Sequence, residues 1–205
     1  MIEKVRNIAK KHVLEAVNIR KYLHAHPELS FKEYETSKFI QSVLKKHGIP
    51  FTNGHVETGI IATIKGKNPN TKEILLRADL DALPISEDNN VEYKSKNKGV
   101  MHACGHDFHS ASLIGTALIL NELKEDFNGT IKFVFQPGEE KLPGGAKLMI
   151  EDGLLNNKPQ ACIAQHVYPD LEVGKVGFRP GLYMASADEI YITVKGKGGH
   201  AALPH

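Results

Sequence analysis

Residues 130–140, Thr130-Ile131-Lys132-Phe133-Val134-Phe135-Gln136-Pro137-Gly138-Glu139-Glu140, read as a strand that stops at a Pro-Gly turn and presents two neighbouring carboxylates. Upstream, residues 108–123 are a long apolar helix that starts directly after the loop Met101-His102-Ala103-Cys104-Gly105-His106-Asp107. Downstream come a short helix at 144–151 and an apolar strand at 161–165 that runs into His166. Toward the N-terminus, 73–78 is the near-continuous apolar run of a buried strand, and 58–64 is another strand. Residues 2–24 carry Val5, Ile8, Ala9, Val13, Ala16, Val17 and Leu23 at helical spacing, and His24-Ala25-His26-Pro27 breaks that helix. Ser30-Phe31-Lys32-Glu33 has the form of a capping box, opening a second helix that closes near His47-Gly48.

Strands alternating with helices define an α/β domain, with a twisted, largely parallel sheet flanked by helices. Each chemically suggestive cluster follows a strand: Asp79 and Asp81 after one, Glu139 and Glu140 after another, His166 after a third. Open α/β sheets bind ligands at the carboxyl ends of their strands, so these positions point to a single site. Beyond about Phe178 the texture changes. Residues 184–195 alternate like an amphipathic strand through Ile190, Ile192 and Val194, then run into Gly196-Lys197-Gly198-Gly199-His200-Ala201-Ala202-Leu203-Pro204-His205.

Composition narrows the classes. The 205 residues are 41% hydrophobic and 24% charged, with net charge +2 from scattered basic residues, which argues against a nucleic-acid partner. No run approaches the ~18 apolar residues of a membrane helix, and the charged N-terminus has no apolar signal region behind it. Only two cysteines are present, and Cys104 has a use in the His-rich loop, so we expect no structural disulfide and a cytoplasmic setting.

Cys104 and His106 put a thiolate and an imidazole on one small loop, a donor pair suited to a zinc-like ion. The competing reading is a buried cysteine beside a capping histidine. Of Glu139 and Glu140, one carboxylate can bind metal while the other moves protons for a metal-bound water; the rival is an exposed acidic turn. His166 is a further candidate ligand, although a lone histidine at a strand end is more often structural. Asp79 and Asp81, with Asp107, are candidates for orienting metal-bound imidazoles; an Arg77–Asp pair is the alternative for the first two. Cys162 reads as a core cysteine. His12, His24, His26, His47 and His55 read as surface or packing residues. A purely structural zinc site would leave Glu139 without a role.

The motifs Arg-Ala-Asp-Leu-Asp-Ala-Leu-Pro-Ile, Met-His-Ala-Cys-Gly-His-Asp, Gln-Pro-Gly-Glu-Glu and Gly-Gly-His-Ala-Ala-Leu-Pro-His stand here in a familiar order. The chain resembles the two-metal metallopeptidases that include N-acyl-amino-acid amidohydrolases, hippurate hydrolases and auxin-conjugate hydrolases. The resemblance covers all 205 residues and matches the family's N-terminal half. It implies hydrolysis of the amide bond of an N-acyl amino acid at two divalent ions, Zn2+ or Mn2+. Cys104 would be the bridging ligand, His106, Glu140 and His166 further ligands, and Glu139 the general acid/base. His200, from a smaller lid domain, would stabilise the oxyanion, often in a neighbouring subunit. A catalytic portion is thus expected over 1–180 and the beginning of an α+β lid and dimerisation domain over 181–205. The family's last histidine ligand has no counterpart here, so the alternative is a catalytically inactive fragment with an exposed apolar sheet edge.

Overall fold

The computed structural model describes residues 1–185, 188 and 190–203. Two compact units divide the chain, Met1–Val167 and Tyr168–His205. The first contains α1 (Ile2–Ala25), α2 (Tyr34–Lys46), β1 (Phe51–His55), β2 (Gly59–Lys65), β3 (Glu73–Asp79), α3 (His106–Glu122), β4 (Thr130–Gln136), α4 (Gly145–Glu151) and β5 (Ala161–Ala164).

The strands form one sheet in the order β1-β2-β4-β3-β5. Strands β3, β4 and β5 run parallel, whereas β2 is antiparallel to both β1 and β4, so the α/β sheet is mixed. Side chains alternate across it with the period of two that a pleated strand imposes. Phe133, Phe135, Ile60, Ala62, Ile64 and Ala78 enter the larger core, with Ile19 and Leu23 of α1, Ile40 and Leu44 of α2, and Ile114 and Leu118 of α3. Val134 and Leu75 point the other way, onto Met149 of α4. The helix α3 is therefore apolar nearly all round because it lies between α1 and the sheet.

Two local expectations are corrected, and one strand is added. The capping box does not form: Glu33 stands at the N-cap of α2 with no side-chain cap bond. Instead the Glu28 carboxylate accepts the Thr36 and Glu35 amides at 2.7 and 3.3 Å, while Ser30 and Glu33 are committed elsewhere. Strand β1 carries no apolar alternation in Phe-Thr-Asn-Gly-His and exists through pairing with β2, around a register irregularity between Asn53 and His55. Cys162 is exposed rather than in the core, because β5 lies at the sheet edge with β3 as its neighbour and all four of its residues exposed. Ile163 beside it is 56% exposed, which agrees with an apolar sheet edge.

In the second unit no helix or strand occurs among the described residues, and those side chains are exposed. The amphipathic strand expected at 184–195 is not formed by its described residues; positions 186, 187 and 189 of that stretch, and 204–205 of the terminal motif, lie outside them. Among the described residues no helix is long and apolar enough to cross a membrane.

Burial assigns stability to the larger core. Phe135→Ala should lower unfolding free energy by ~3–5 kcal/mol, whereas Cys162→Ser on the open edge should change it by less than ~0.5 kcal/mol. Urea unfolding of the two variants checks the contrast.

Candidate metal centre

The carboxyl ends of the three parallel strands supply the site. Asp79 is the last residue of β3 and Asp81 follows it, Glu139 and Glu140 follow β4, and His166 follows β5. Cys104 and His106 arrive from the loop that opens α3. Gly105 makes that tight approach feasible: its φ is +85°, and a Cβ there would collide with Val167.

His106 is the centre of the cluster. It is 1% exposed, and its Nδ1 lies 3.3 Å from Asp81 Oδ1. Its Nε2 lies 3.7 Å from Glu140 Oε1, 3.8 Å from Asp79 Oδ1 and 3.9 Å from Glu139 Oε2. Potential donor atoms of Cys104, His106 and His166 fall within 4.8 Å of one another, as do those of His106, Glu139 and Glu140, and of Asp79, His106 and His109. The sequence-designated ligands thus converge, with His106 shared.

The fit to a cation can be read from unmet needs. Both ring nitrogens of His106, Asp81 Oδ1 and Glu140 Oε1 are buried without a well-aligned hydrogen bond. Leaving such groups unpaired costs ~1–3 kcal/mol each, so a cluster of them that includes two carboxylates favours a cation among them. Burial first, then Glu140, Glu139 and Asp79, push the Cys104 thiol up to about 12. A thiolate there requires local positive charge, which a divalent ion would supply. Burial and the adjacent Glu140 also raise the pKa of Glu139.

Orientation of His166 is set locally. Its Nδ1–H donates to the Val167 carbonyl at 2.7 Å, which turns Nε2 toward Cys104 Sγ at 3.4 Å. His109 has a complete set of partners. It accepts the Val167 amide at Nε2, 2.9 Å, so Nδ1 carries the proton and donates to Asp79 Oδ1 at 2.6 Å. Asp79 also meets Arg77 Nη1 at 3.0 Å, so the Arg–Asp pair and the His109 contact form on the same carboxylate. Burial opposes its charge, but His109, His106 and Arg77 outweigh that and hold its pKa at about 2. Asp81 accepts the Glu140 amide at 2.9 Å and the Ser30 hydroxyl at 2.7 Å.

Asp107 serves a different network. Its Oδ2 takes His24 Nδ1 at 2.8 Å and Arg20 Nε at 2.9 Å, while His24 Nε2 reaches Glu87 at 3.0 Å. It is not among the groups close enough to share an ion. His200 lies in the second unit, exposed, its Nδ1 accepting the Ala202 amide at 3.2 Å. Sequence reading missed His109, although its spacing of three from His106 places both on one helical face.

Chain comparison agrees with a metallohydrolase fold. Residues 75–203 match the sequence profile of peptidase family M20/M25/M40, and the chain belongs to that family. It is 48% identical over 190 residues to the N-acetylcysteine deacetylase of Bacillus subtilis (strain 168), covering 92% of this chain and 49% of that protein. Against the N-acyl-L-amino acid amidohydrolase of Geobacillus stearothermophilus it is 42% identical over 203 residues, covering 99% and 54%. The chain therefore spans about half the length of these curated relatives. Among solved structures, a putative aminohydrolase from methicillin resistant Staphylococcus aureus superposes with TM-score 0.83 at 42% identity, covering 88% of this chain and 48% of that one. A Bacillus subtilis protein described as a dinuclear metal binding peptidase from the M20 family superposes with TM-score 0.76 at 46% identity, covering 80% and 46%.

The Asp107 network has a pH signature. Hydrogen bonding to Asp107 raises the His24 pKa against the opposing effect of burial, with Glu87 adding to it. The stabilisation is therefore complete below the unfolded value of about 6.5 and disappears as pH rises through the higher folded value. The thermal midpoint of wild type minus that of His24→Gln should be largest near pH 6 and shrink toward pH 9; a constant difference would contradict the assignment.

Proposed function

We propose that this chain carries the metal-binding, proton-transferring site of an enzyme that hydrolyses the amide bond of N-acyl amino acids. The observation that carries the reading is the buried His106, neither ring nitrogen in a well-aligned hydrogen bond, set between Cys104, His166, Glu139 and Glu140. The relatives named for N-acyl-L-amino acids and N-acetylcysteine support the substrate class.

Cys104, His106, Glu140 and His166 would hold two divalent ions, zinc or manganese; thiolate favours the softer ion and carboxylates accept either. When bound, such ions polarise the amide carbonyl and acidify water. Glu139, the more exposed of the two glutamates, takes a proton from the attacking water as the C–O bond forms. It returns that proton to the amide nitrogen as the C–N bond breaks, releasing carboxylate and amine. Asp79 and Asp81 fix the cluster through His109, the Glu140 amide and His106. His200 would stabilise the oxyanion, with pairing of two copies through the second unit as part of the same reading. A cytoplasmic setting suits the free thiol of Cys104.

A second reading is a metal-binding site without turnover. Release of acetate from N-acetyl-L-cysteine by the metal-loaded chain separates the two.

The role assignment is tested by two substitutions. Glu139→Gln should lower hydrolysis by at least ~100-fold while metal content stays near wild type. Cys104→Ala should lower metal content itself. Equal metal loss in both variants would contradict the division of roles.

A further inference from the structure

The turn that carries Glu139 and Glu140 is held from a distance by a residue outside the cluster of candidate ligands. Glu33 is 0% exposed. Its Oε1 accepts the Gly138 amide at 2.8 Å and the Phe31 amide at 2.9 Å, and its Oε2 accepts the Thr58 hydroxyl at 2.8 Å. One carboxylate thereby joins the start of β2, the approach to α2 and the residue immediately before Glu139.

The surrounding backbone is shaped to allow this. Phe31 has φ +62°, uncommon for a bulky residue, and that conformation brings its amide onto Glu33 and its ring against Gly138. Gly138 itself has φ +56°, and a Cβ there would collide with the Phe31 ring. The far end of the same turn is tied as well, because Ser30 donates to the Asp81 carboxylate that accepts the Glu140 amide. Residues 30–33, whose sequence looks like a helix cap, thus brace both ends of the glutamate turn. A buried carboxylate is costly in an apolar core: burial raises the Glu33 pKa, and three donors, one of which belongs to the site, act against that rise.

We propose that Glu33 is a positioning residue for this hydrolytic site, its carboxylate holding the Gly138 amide and so fixing where Glu139 and Glu140 stand. The proposal rests on the metal-site reading above for its consequence, and on the hydrogen bonds alone for its geometry. A Glu33→Gln change keeps the size and loses the charge, weakening the Gly138 bond. Glu33→Asp is one methylene shorter and withdraws the acceptor. Thr58→Val removes a different bond to the same carboxylate without touching Gly138.

The test reads all three variants of the full chain in two ways. Hydrogen exchange of the Gly138 amide, followed by NMR without metal, should speed up ~3-fold in Glu33→Gln and ~10-fold in Glu33→Asp, and stay unchanged in Thr58→Val. Affinity for Co2+, read from its visible absorption, should fall in the same order, reaching ~10-fold in Glu33→Asp, while Thr58→Val stays within ~2-fold even if its thermal midpoint drops. Should Glu33→Asp fail to fold, Glu33→Gln against Thr58→Val carries the comparison. Equal Co2+ affinity and equal Gly138 exchange in the Glu33 and Thr58 variants would overturn the proposal. Should wild type take up no Co2+, the metal-site reading falls; Gly138 exchange then still decides whether Glu33 holds the turn.

Discussion

Burial of the His106 imidazole against Asp79, Asp81, Glu139 and Glu140, at distances of 3.3 to 3.9 Å, is the constraint around which the first unit is organised. Four carboxylates crowded in a partly dry space repel one another, and each loses hydration. The chain opposes this with fixed donors: His109 and Arg77 on Asp79, Ser30 and the Glu140 amide on Asp81. Both ring nitrogens of His106, Asp81 Oδ1 and Glu140 Oε1 still lack a well-aligned hydrogen bond there, and His106 also lies within reach of the Cys104 thiol. A divalent cation would answer those needs together and would tie the site's chemistry to its folding.

The parallel core makes that concentration possible. Strands β3, β4 and β5 end on one side of the sheet, so Asp79, Glu139, Glu140 and His166 meet there, and the long irregular stretch 80–105 brings Cys104 to the same end. Phe133 and Phe135 bury one face of β4 and Val134 the other, so the turn after Gln136 starts from a strand packed on both sides. Glu33 then adds a side-chain restraint to the same turn.

Much of this was legible in the sequence because its signals are local. The apolar run at 73–78, the helix after Cys-Gly-His and the strand before Pro-Gly were each found within a residue or two of the observed bounds. The convergence of Cys104, His106, Glu139, Glu140 and His166 followed from strand ends and motif order. The failures share a physical cause. Ser30-x-x-Glu33 satisfies the local rule for a cap, yet its partners, Asp81 and Gly138, come from elements far along the chain. Strand β1 is made by pairing with β2, not by its own pattern. Cys162 sits in an apolar run, but position at the sheet edge, which no local window reports, decides its exposure. Asp107 lies beside His106 in sequence and on a separate network in space.

The proposed role of the cluster around His106 is to hold metal. Elemental mass spectrometry of the folded, purified chain after dialysis against limiting zinc and manganese tests it most directly. About two ions should be retained per chain. A folded chain that retains none under those conditions would contradict it.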